Sequence, residues 1–292
     1  MIELRRKIEQ AIRKHGPIPF SRYMELCLYD PELGYYSRNA EQFGKTGDFY
    51  TSSDVHAVFG RLMSRQFEQM WRVLGSPDRI DLVELGPGRG LFAQDVLDWS
   101  EKKSPDFFRA LHYVLVESSA ALRQRIQGTL ARRLDSGKAT LTALGADGLN
   151  RDVPVIVFAN EFFDALPVEI VSRKGSLRID VNDGRFVETW VKPAPEELEF
   201  LDRFSVHPEE GERIETSMVA QQYMDRVAAS IQRGFIVAID YGYTRDEQLA
   251  GRHRGTLKAI RQHSISASPY EAPGEQDITA DVNFTALAAA AE

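Results

Sequence analysis

The sequence predicts an α/β fold built on a parallel β-sheet, because strand-like and helix-like segments alternate from residue 80 onwards. Apolar strand patterns occur at residues 80–85, 112–117, 140–144, 154–159 and 235–240, and helical patterns begin at Leu91, at Ala120 and near Ser217. Such alternation produces right-handed βαβ units, which bring parallel strands into one sheet. A hydrophobic fraction of 43% over 292 residues is sufficient for a core of this kind.

The segment before the sheet is predicted to be helical. Apolar residues recur at helical spacing over residues 2–15, and His15-Gly16-Pro17 ends that helix. A second helix is expected from Phe20 to Leu28, and a third helix ends at Leu74 after a Gly-, Thr- and Ser-rich loop at residues 44–54. Residues 1–75 are therefore predicted to form a helical cap.

An antiparallel β insertion is expected after the fourth parallel strand. The chain alternates in polarity between Glu169 and Pro193, and turn signals stand at Lys174-Gly175 and at Asn182-Asp183-Gly184. A polar stretch at 193–212 and a helix from Ser217 to Gln232 follow. These patterns predict a core of residues 76–170 and 233–292, interrupted by an insertion at 171–232 on the substrate side.

The sequence after Tyr243 is polar and predicts a loop, which ends where a helix is predicted to begin at Asn283. Sheets of this class normally close with further strands, so we expect the C-terminal strands to be missing from this chain. An uncovered sheet edge can pair with a second copy, and a homo-oligomer is therefore possible.

Charge and composition exclude several classes of partner. The net charge of −7 repels a phosphate backbone, so no nucleic-acid partner is expected. No apolar run approaches the roughly 18 residues that a membrane-spanning helix needs, so no membrane insertion is expected. The basic N-terminal segment has no signal-peptide core, which favours a cytoplasmic protein; a mitochondrial matrix location would require a transit peptide that this chain does not show.

Neither a disulfide nor a metal site is expected. Cys27 is the single cysteine and lies among apolar residues, which favours a buried structural thiol over a nucleophile. The six histidines do not show the spacing of a zinc site.

A glycine-rich loop follows the first strand of the predicted sheet. Gly86, Gly88 and Gly90 lie between that strand and a helix, at the sheet edge where open α/β folds bind ligands. The spacing is GxGxG, whereas a dinucleotide site needs GxGxxG, and Leu91 occupies the position of its third glycine. A purely structural turn is the alternative interpretation of these glycines.

Two carboxylates indicate which ligand this loop binds. Glu117 ends the second strand, where it can accept hydrogen bonds from both hydroxyls of an adenosine ribose. Glu84 immediately precedes the glycines, and a carboxylate there suits an ammonium and a sulfonium better than a pyrophosphate. The charges therefore favour S-adenosylmethionine over NAD, although Glu117 can also be read as an ordinary solvated acid at a strand end.

Candidate catalytic residues follow the fourth strand. Asn160, Glu161 and Asp164 stand in NEFFDALP, at the carboxyl edge of the sheet. If Glu161 begins a helical turn, it shares a face with Asp164, and the two carboxylates with the amide can hold a cationic nucleophile such as arginine. The alternative is helix capping by Asn160 and a helix-dipole contact by Glu161. Phe162 and Phe163 are expected in the core or a pocket wall.

The chain resembles the MidA-like methyltransferases, a bacterial and mitochondrial family. The likeness spans nearly the whole chain and depends on an ordered set of motifs: DPELGYY (30–36), GDFYTSSDVHAVFG (47–60), VELGPGRG (83–90), NEFFDALP (160–167), DYGY (240–243), GTLKAIRQH and PGEQDITADVNFTAL. It implies a Rossmann-like methyltransferase core with S-adenosylmethionine in the Gly86–Gly90 loop, under a helical cap whose GDFYTS loop closes over the cofactor. Thr51 and Ser52 become cofactor-site candidates only through this resemblance.

The same resemblance implies a methyl acceptor. It points to a protein arginine, in particular one on a subunit of respiratory complex I, with symmetric dimethylarginine as the product. Bacterial relatives can act on other proteins.

Three other functions compete with this interpretation. A small-molecule methyltransferase would use the cap to seal a compact pocket around its acceptor. An assembly factor could bind the cofactor without turnover, in which case Glu161 and Asp164 would not matter. An NAD-dependent dehydrogenase needs the third glycine that Leu91 replaces.

Overall fold

The structure is a computed structural model that describes residues 2–38, 57–143, 152–261 and 264–292. The helices are α1 (Ile2–His15), α2 (Phe20–Tyr29), α3 (Tyr35–Arg38), α4 (Val58–Val73), α5 (Leu91–Lys103), α6 (Pro105–Ala110), α7 (Ala120–Thr129), α8 (Ala131–Asp135), α9 (Pro195–Phe204), α10 (Met218–Ser230), α11 (Arg245–Leu249) and α12 (Phe284–Ala291).

The strands, in chain order, are β1 (Ile18–Pro19), β2 (Ile80–Leu85), β3 (Leu111–Val116), β4 (Ala139–Thr142), β5 (Val155–Asn160), β6 (Glu169–Ser172), β7 (Gly175–Asn182), β8 (Arg185–Val191), β9 (Ile214–Thr216), β10 (Gly234–Ile239), β11 (Gly242–Tyr243), β12 (Lys258–Arg261), β13 (Ser264–Ile265), β14 (Asp277–Thr279) and β15 (Val282–Asn283).

The chain forms two compact units, each assembled from separate stretches of sequence. We call Asn39–Phe162 with Arg226–Ile239 the parallel-sheet unit. We call Met1–Arg38, Phe163–Asp225 and Asp240–Glu292 the antiparallel-sheet unit.

The parallel-sheet unit contains the predicted α/β core. In its described residues, five parallel strands lie in the order β10-β5-β2-β3-β4, so that β2 is central and pairs with β3 on one side and β5 on the other. All six residues of β2 are buried, as expected for a strand covered on both faces. The chain leaves β2 toward β3 and later crosses to β5. The carboxyl ends of β2 and β5 therefore form the switch point where ligands bind in such sheets.

An apolar core covers the parallel sheet. Fully buried aromatic rings from the helices and strands meet there, and the Phe92 and Phe158 rings stack at a centroid distance of 4.6 Å. Phe67 of α4 contacts the Phe158 ring edge-on at 5.4 Å. This packing fixes α4 and α5 relative to the strands that end at the candidate site.

The antiparallel-sheet unit is organised around β7, which pairs with β1, β6 and β8. The predicted insertion is therefore confirmed as antiparallel. Helices α1 and α2 supply the other half of its core: Leu4, Ile8 and Phe20 lie in one buried cluster with Leu177 and Ile179. In α1 the buried residues fall at helical spacing. Basic residues occupy the last turn, where they interact favourably with the negative end of the helix dipole.

The C-terminal part of the chain differs from the sequence prediction. The predicted loop after Tyr243 is wrong, because α11 and strands β12, β13, β14 and β15 occur there. β12 pairs with β13 and β14, and β11 pairs with β15. These strands are only two to four residues long, so they show no readable alternation. Helix α9 likewise lies inside the stretch that reads as polar and irregular.

The compact units divide the chain at other residues than the predicted domains. Residues 2–38 share a core with the β insertion, rather than with the rest of the predicted cap. The pairing of β1 with β7 explains this, since a two-residue strand between two helices carries no sequence signal. The functional domain boundaries remain a prediction. Among the described residues, no helix combines the length and the apolar character needed to cross a bilayer.

Candidate functional site

The glycine loop leaves the carboxyl end of β2 and leads into α5. The backbone ladder continues into it, since the Gly86 N–H donates to the Val116 carbonyl at 3.0 Å. Gly86 and Gly88 have positive φ angles of 64° and 55°, a conformation that side chains with a Cβ rarely adopt. A Cβ on Gly86 would lie 2.9 Å from the Phe162 ring, whereas a Cβ on Gly88 would meet no atom of the described residues beyond its chain neighbours within 4 Å. As far as the described residues are concerned, the loop therefore leaves space beside Gly88 for a ligand to approach the backbone.

Glu84 is a buried acid inside β2. Its carboxyl group accepts a hydrogen bond of 2.8 Å from the hydroxyl of Tyr113 on β3, and the residue is only 5% exposed. Burial raises the pKa of the Glu84 carboxyl to about 8; the Tyr113 hydrogen bond lowers this pKa and the charge of Glu117 raises it further. A cation brought close to Glu84 would favour its charged form.

Glu117 directly follows β3 and is 7% exposed. One of its carboxyl oxygens accepts the Ser119 N–H at 2.8 Å, at the position where Ser119 caps α7. Burial raises the pKa of Glu117 to about 7, against the lowering effects of the Ser119 N–H and of the Arg123 charge. Electrostatic coupling between Glu84 and Glu117 places the two acids near each other at the carboxyl edge of the sheet.

Asn160 and Glu161 stand at the end of β5, beside β2. The Glu161 N–H donates to the Ile239 carbonyl at 2.8 Å, and the Asn160 amide reaches the Glu161 carboxylate at 3.5 Å. Glu161 has a φ of 49°, so it adopts a left-handed conformation. The condition that Glu161 begins a helical turn, under which it would share a helix face with Asp164, is therefore not met. Strain of this kind at a non-glycine residue is found preferentially at functional sites.

Asp164 belongs to the antiparallel-sheet unit, which begins again at Phe163. Its N–H and that of Phe163 donate to the carboxylate of Asp240, and its carbonyl accepts the Ala280 N–H at 2.9 Å. The structure thus places Asn160 and Glu161 in one unit and Asp164 in the other. Thr51 and Ser52 lie outside the described residues.

The chemistry of the parallel-sheet residues fits the cofactor that the sequence favours. S-adenosylmethionine carries a ribose diol, an ammonium and a sulfonium, and carboxylates accept hydrogen bonds from the first two and attract both cations. The described part of the chain places two buried acids, Glu84 and Glu117, beside the glycine turn at one sheet edge.

Sequence reasoning missed some neighbours of these residues. The Tyr113 hydroxyl donates a hydrogen bond to Glu84 because β2 and β3 pair in the register that aligns Leu82 with Tyr113. No local sequence pattern encodes this contact between strands. Phe162, expected in the core or a pocket wall, is partly exposed and lies against Gly86. Asp240 could have been found, since it is an acid that directly follows the last parallel strand, as Glu117 follows β3.

Three comparisons with known proteins agree. Residues 62–292 match a family of S-adenosyl-L-methionine-dependent methyltransferases. The protein arginine methyltransferase NDUFAF7 homolog, mitochondrial, of Drosophila melanogaster is 33% identical over 96% of this chain and 68% of its own length. The protein arginine methyltransferase NDUFAF7, mitochondrial, of Danio rerio is 30% identical over 96% of this chain and 72% of its own length.

A solved structure resembles the whole chain. A protein from Burkholderia thailandensis that was crystallised bound to S-adenosyl-homocysteine superposes with a TM-score of 0.85 and 29% identity, over 99% of this chain and 75% of that protein. The likeness extends over both compact units.

Proposed function

This chain belongs to the S-adenosyl-L-methionine-dependent methyltransferases, and we propose that it transfers the methyl group to an arginine side chain of a protein. The observation that carries the acceptor class is the likeness to relatives named protein arginine methyltransferases, which covers 96% of this chain. The two carboxylates of NEFFDALP, Glu161 and Asp164, are consistent with a cationic acceptor.

The residues proposed to hold the cofactor lie mainly in the parallel-sheet unit. The Gly86–Gly90 loop lets the cofactor approach the backbone, Glu117 accepts hydrogen bonds from the ribose hydroxyls, and Glu84 attracts the cationic end. Thr51 and Ser52 are added from the family resemblance alone. When bound, the cofactor supplies a methyl group on a positively charged sulfur, which is open to attack by a nitrogen.

Asn160, Glu161 and Asp164 are proposed to act on the acceptor. A free guanidinium keeps its proton up to a pH of about 12, so it is a poor nucleophile in water. Carboxylate oxygens of Glu161 and Asp164 would accept hydrogen bonds from the guanidinium and orient one nitrogen toward the methyl group. A carboxylate oxygen next to that nitrogen would take the proton that leaves it.

The finer identity of the acceptor follows only from the resemblance. We propose a subunit of respiratory complex I, or a bacterial counterpart, as the methylated protein, and the β insertion at 171–232 as the part that receives it. The relatives are named mitochondrial. A homo-oligomer remains part of the proposal.

A radiolabelling experiment tests the acceptor class. The chain is incubated with S-adenosyl-L-methionine tritiated in its methyl group and with protein extract from cells that lack this chain. After acid hydrolysis, we expect the label in methylated arginine, and much less of it with Glu161→Gln or Asp164→Asn. Calorimetry with S-adenosylhomocysteine serves as the control, because both variants should still bind it.

Other outcomes would contradict the proposal. Label in lysine, or in molecules that remain soluble in acid before hydrolysis, would exclude arginine and favour another acceptor. Full activity of both variants would exclude the roles given to Glu161 and Asp164. Binding without any transfer would favour an assembly factor that binds the cofactor.

A further inference from the structure

Asp240 lies directly after β10 and uses its carboxylate as a hydrogen-bond acceptor. One oxygen, Oδ2, accepts the N–H of Phe163 at 2.9 Å and the N–H of Asp164 at 3.3 Å. The other oxygen, Oδ1, accepts the N–H of Tyr241 at 2.9 Å. All of these residues belong to the antiparallel-sheet unit, so the arrangement is a property of that unit.

The turn that carries Asp164 is also held on its carbonyl side. The Asp164 carbonyl accepts the Ala280 N–H at 2.9 Å, and the Ala165 carbonyl accepts the Tyr29 hydroxyl at 2.9 Å. Phe163 is buried and its ring meets that of Tyr223 edge-on at 6.4 Å. Asp240 therefore supplies the contact on the amide side, while other elements fix the carbonyl side.

This arrangement fixes the direction in which the Asp164 side chain leaves the backbone. The Cα–Cβ direction of a residue follows from its backbone, and the backbone of Asp164 is tied at its N–H by Asp240 and at its carbonyl by Ala280. Hydrogen bonds from N–H groups to a carboxylate are stronger than those between neutral groups. Their loss would free the amide side of the turn and leave its carbonyl side attached.

We propose that Asp240 is a positioning residue for methyl transfer, which holds the Phe163–Asp164 turn so that the Asp164 carboxylate faces the acceptor. The proposal rests on the catalytic role given to Asp164 above. It gives a function to the DYGY segment (240–243), which contains none of the proposed cofactor-binding or catalytic residues. Catalytic groups need placement within about 0.5 Å, so a backbone tether of this kind affects rate more than cofactor binding.

The chain contains a matched control. Asp30 also uses one carboxylate oxygen, Oδ1, to accept two backbone N–H groups, those of Glu32 at 3.2 Å and Leu33 at 3.1 Å. Asp30 lies in the same compact unit, in the turn after α2, and holds a segment that carries no proposed catalytic group. Loss of Asp30 should therefore reduce stability without a specific effect on the transfer step.

The experiment compares Asp240→Ala, Asp240→Asn and Asp30→Ala. Rates of methyl transfer are measured with tritiated S-adenosyl-L-methionine and the same extract, over a range of cofactor concentrations. We expect Asp240→Ala to lower the maximal rate by about 100-fold, with the KM for the cofactor unchanged. Asp240→Asn keeps a carbonyl oxygen for the two N–H groups, and should recover the rate to within about tenfold of the wild type.

A second readout does not need turnover. Hydrogen exchange of the peptide that contains Phe163 and Asp164 is followed by mass spectrometry. Exchange should accelerate in Asp240→Ala, return toward the wild-type rate in Asp240→Asn, and change much less in Asp30→Ala, whose neighbour Tyr29 contacts the turn on its carbonyl side. Unchanged exchange in Asp240→Ala would overturn the proposal even if no acceptor were methylated.

A double variant separates this proposal from the one on which it rests. If Asp240 acts through Asp164, then Asp164→Ala with Asp240→Ala loses no more rate than Asp164→Ala alone. Full activity of Asp164→Ala would contradict the role of Asp164 itself. A strong effect of Asp164→Ala with no effect of Asp240→Ala would overturn only the positioning role. Equal rate losses in Asp240→Ala, Asp240→Asn and Asp30→Ala would reduce Asp240 to a structural residue.

Discussion

At the scale of single residues, the acids of the parallel sheet edge are unusual because they are buried. Glu84 and Glu117 are both less than a tenth exposed, and burial raises the pKa of each of them. Acids with perturbed pKa values in such a place are characteristic of functional sites. The same shift makes their protonation state depend on pH in the physiological range.

The pKa of Glu117 predicts how cofactor affinity depends on pH. In the proposed cofactor site, the charged carboxylate of Glu117 accepts hydrogen bonds from two ribose hydroxyls, and the protonated acid has less acceptor capacity, so binding would favour the charged form. Because the pKa of the unliganded group is about 7, affinity for S-adenosylhomocysteine should fall as the pH drops from 7 to 5.5. The limiting slope is about tenfold per pH unit for a single proton. Calorimetric titrations across this range measure it.

Glu117→Gln is the control for this prediction. The amide does not titrate, so the affinity of the variant should be lower at pH 7 and should fall less steeply than that of the wild type as the pH drops to 5.5. Glu84, with a pKa of about 8, is largely protonated across this window in the free protein. A bound cation that favours its charged form adds a pH dependence that the wild type and the variant share. An equal pH dependence in the wild type and the variant would show that another group controls binding.

At the scale of elements, the glycine loop requires glycine for two different reasons. At Gly88 the reason is the backbone conformation, and at Gly86 it is also the contact with Phe162. Alanine at Gly88, where φ is 55°, should cost about 1–2 kcal/mol in the free energy of unfolding, because the left-handed conformation opposes it and no described residue beyond its chain neighbours lies within 4 Å of the added Cβ. Gly86→Ala should cost more, since its Cβ also meets the Phe162 ring at 2.9 Å. Urea unfolding followed by circular dichroism measures both.

Removal of the ring tests the cause. In a Phe162→Ala background, the difference between Gly86→Ala and Gly88→Ala should shrink. If it persists at full size, then the contact with Phe162 does not explain the requirement for glycine at position 86.

Helix α1 is predicted to be an integral part of the antiparallel-sheet unit. Ile8 is fully buried in the cluster with Leu177, so Ile8→Ala should lower the free energy of unfolding by about 2–5 kcal/mol. Ile2, on the same helix, is 65% exposed, and Ile2→Ala should change it by less than about 0.5 kcal/mol. Chemical denaturation of the two variants compares them directly. Equal effects would mean that α1 is a detachable cap.

The sequence predicted elements where a local pattern encodes them. The parallel strands, the glycine turn and the β6–β8 hairpins have apolar runs, alternation or turn residues, and all occur as expected. The short strands β12 and β13 do not, because two to four residues carry too little pattern. Pairing between distant segments, as between β1 and β7, and the left-handed φ of Glu161 depend on tertiary contacts that no local pattern contains.

At the scale of the whole molecule, the two compact units divide the candidate residues between them. The glycine loop, Glu84, Glu117 and Glu161 belong to the parallel-sheet unit, while Asp164 and Asp240 belong to the other. The sequence alone shows that these groups lie in or shortly after predicted parallel strands. It does not reveal that the unit boundary falls inside NEFFDALP, because that boundary is defined by contacts of residues 2–38 and 240–292.

The central claim is that this methyltransferase binds its cofactor at the glycine loop with Glu117, and calorimetric titration tests it most directly. The wild type and Glu117→Ala are each titrated with S-adenosylhomocysteine and with NADH. The account predicts that the wild type binds S-adenosylhomocysteine and not NADH, and that Glu117→Ala binds S-adenosylhomocysteine about 10–100-fold more weakly, as expected for the loss of charge-assisted hydrogen bonds. Equal affinity of the two proteins for S-adenosylhomocysteine, or binding of NADH alone, would contradict it.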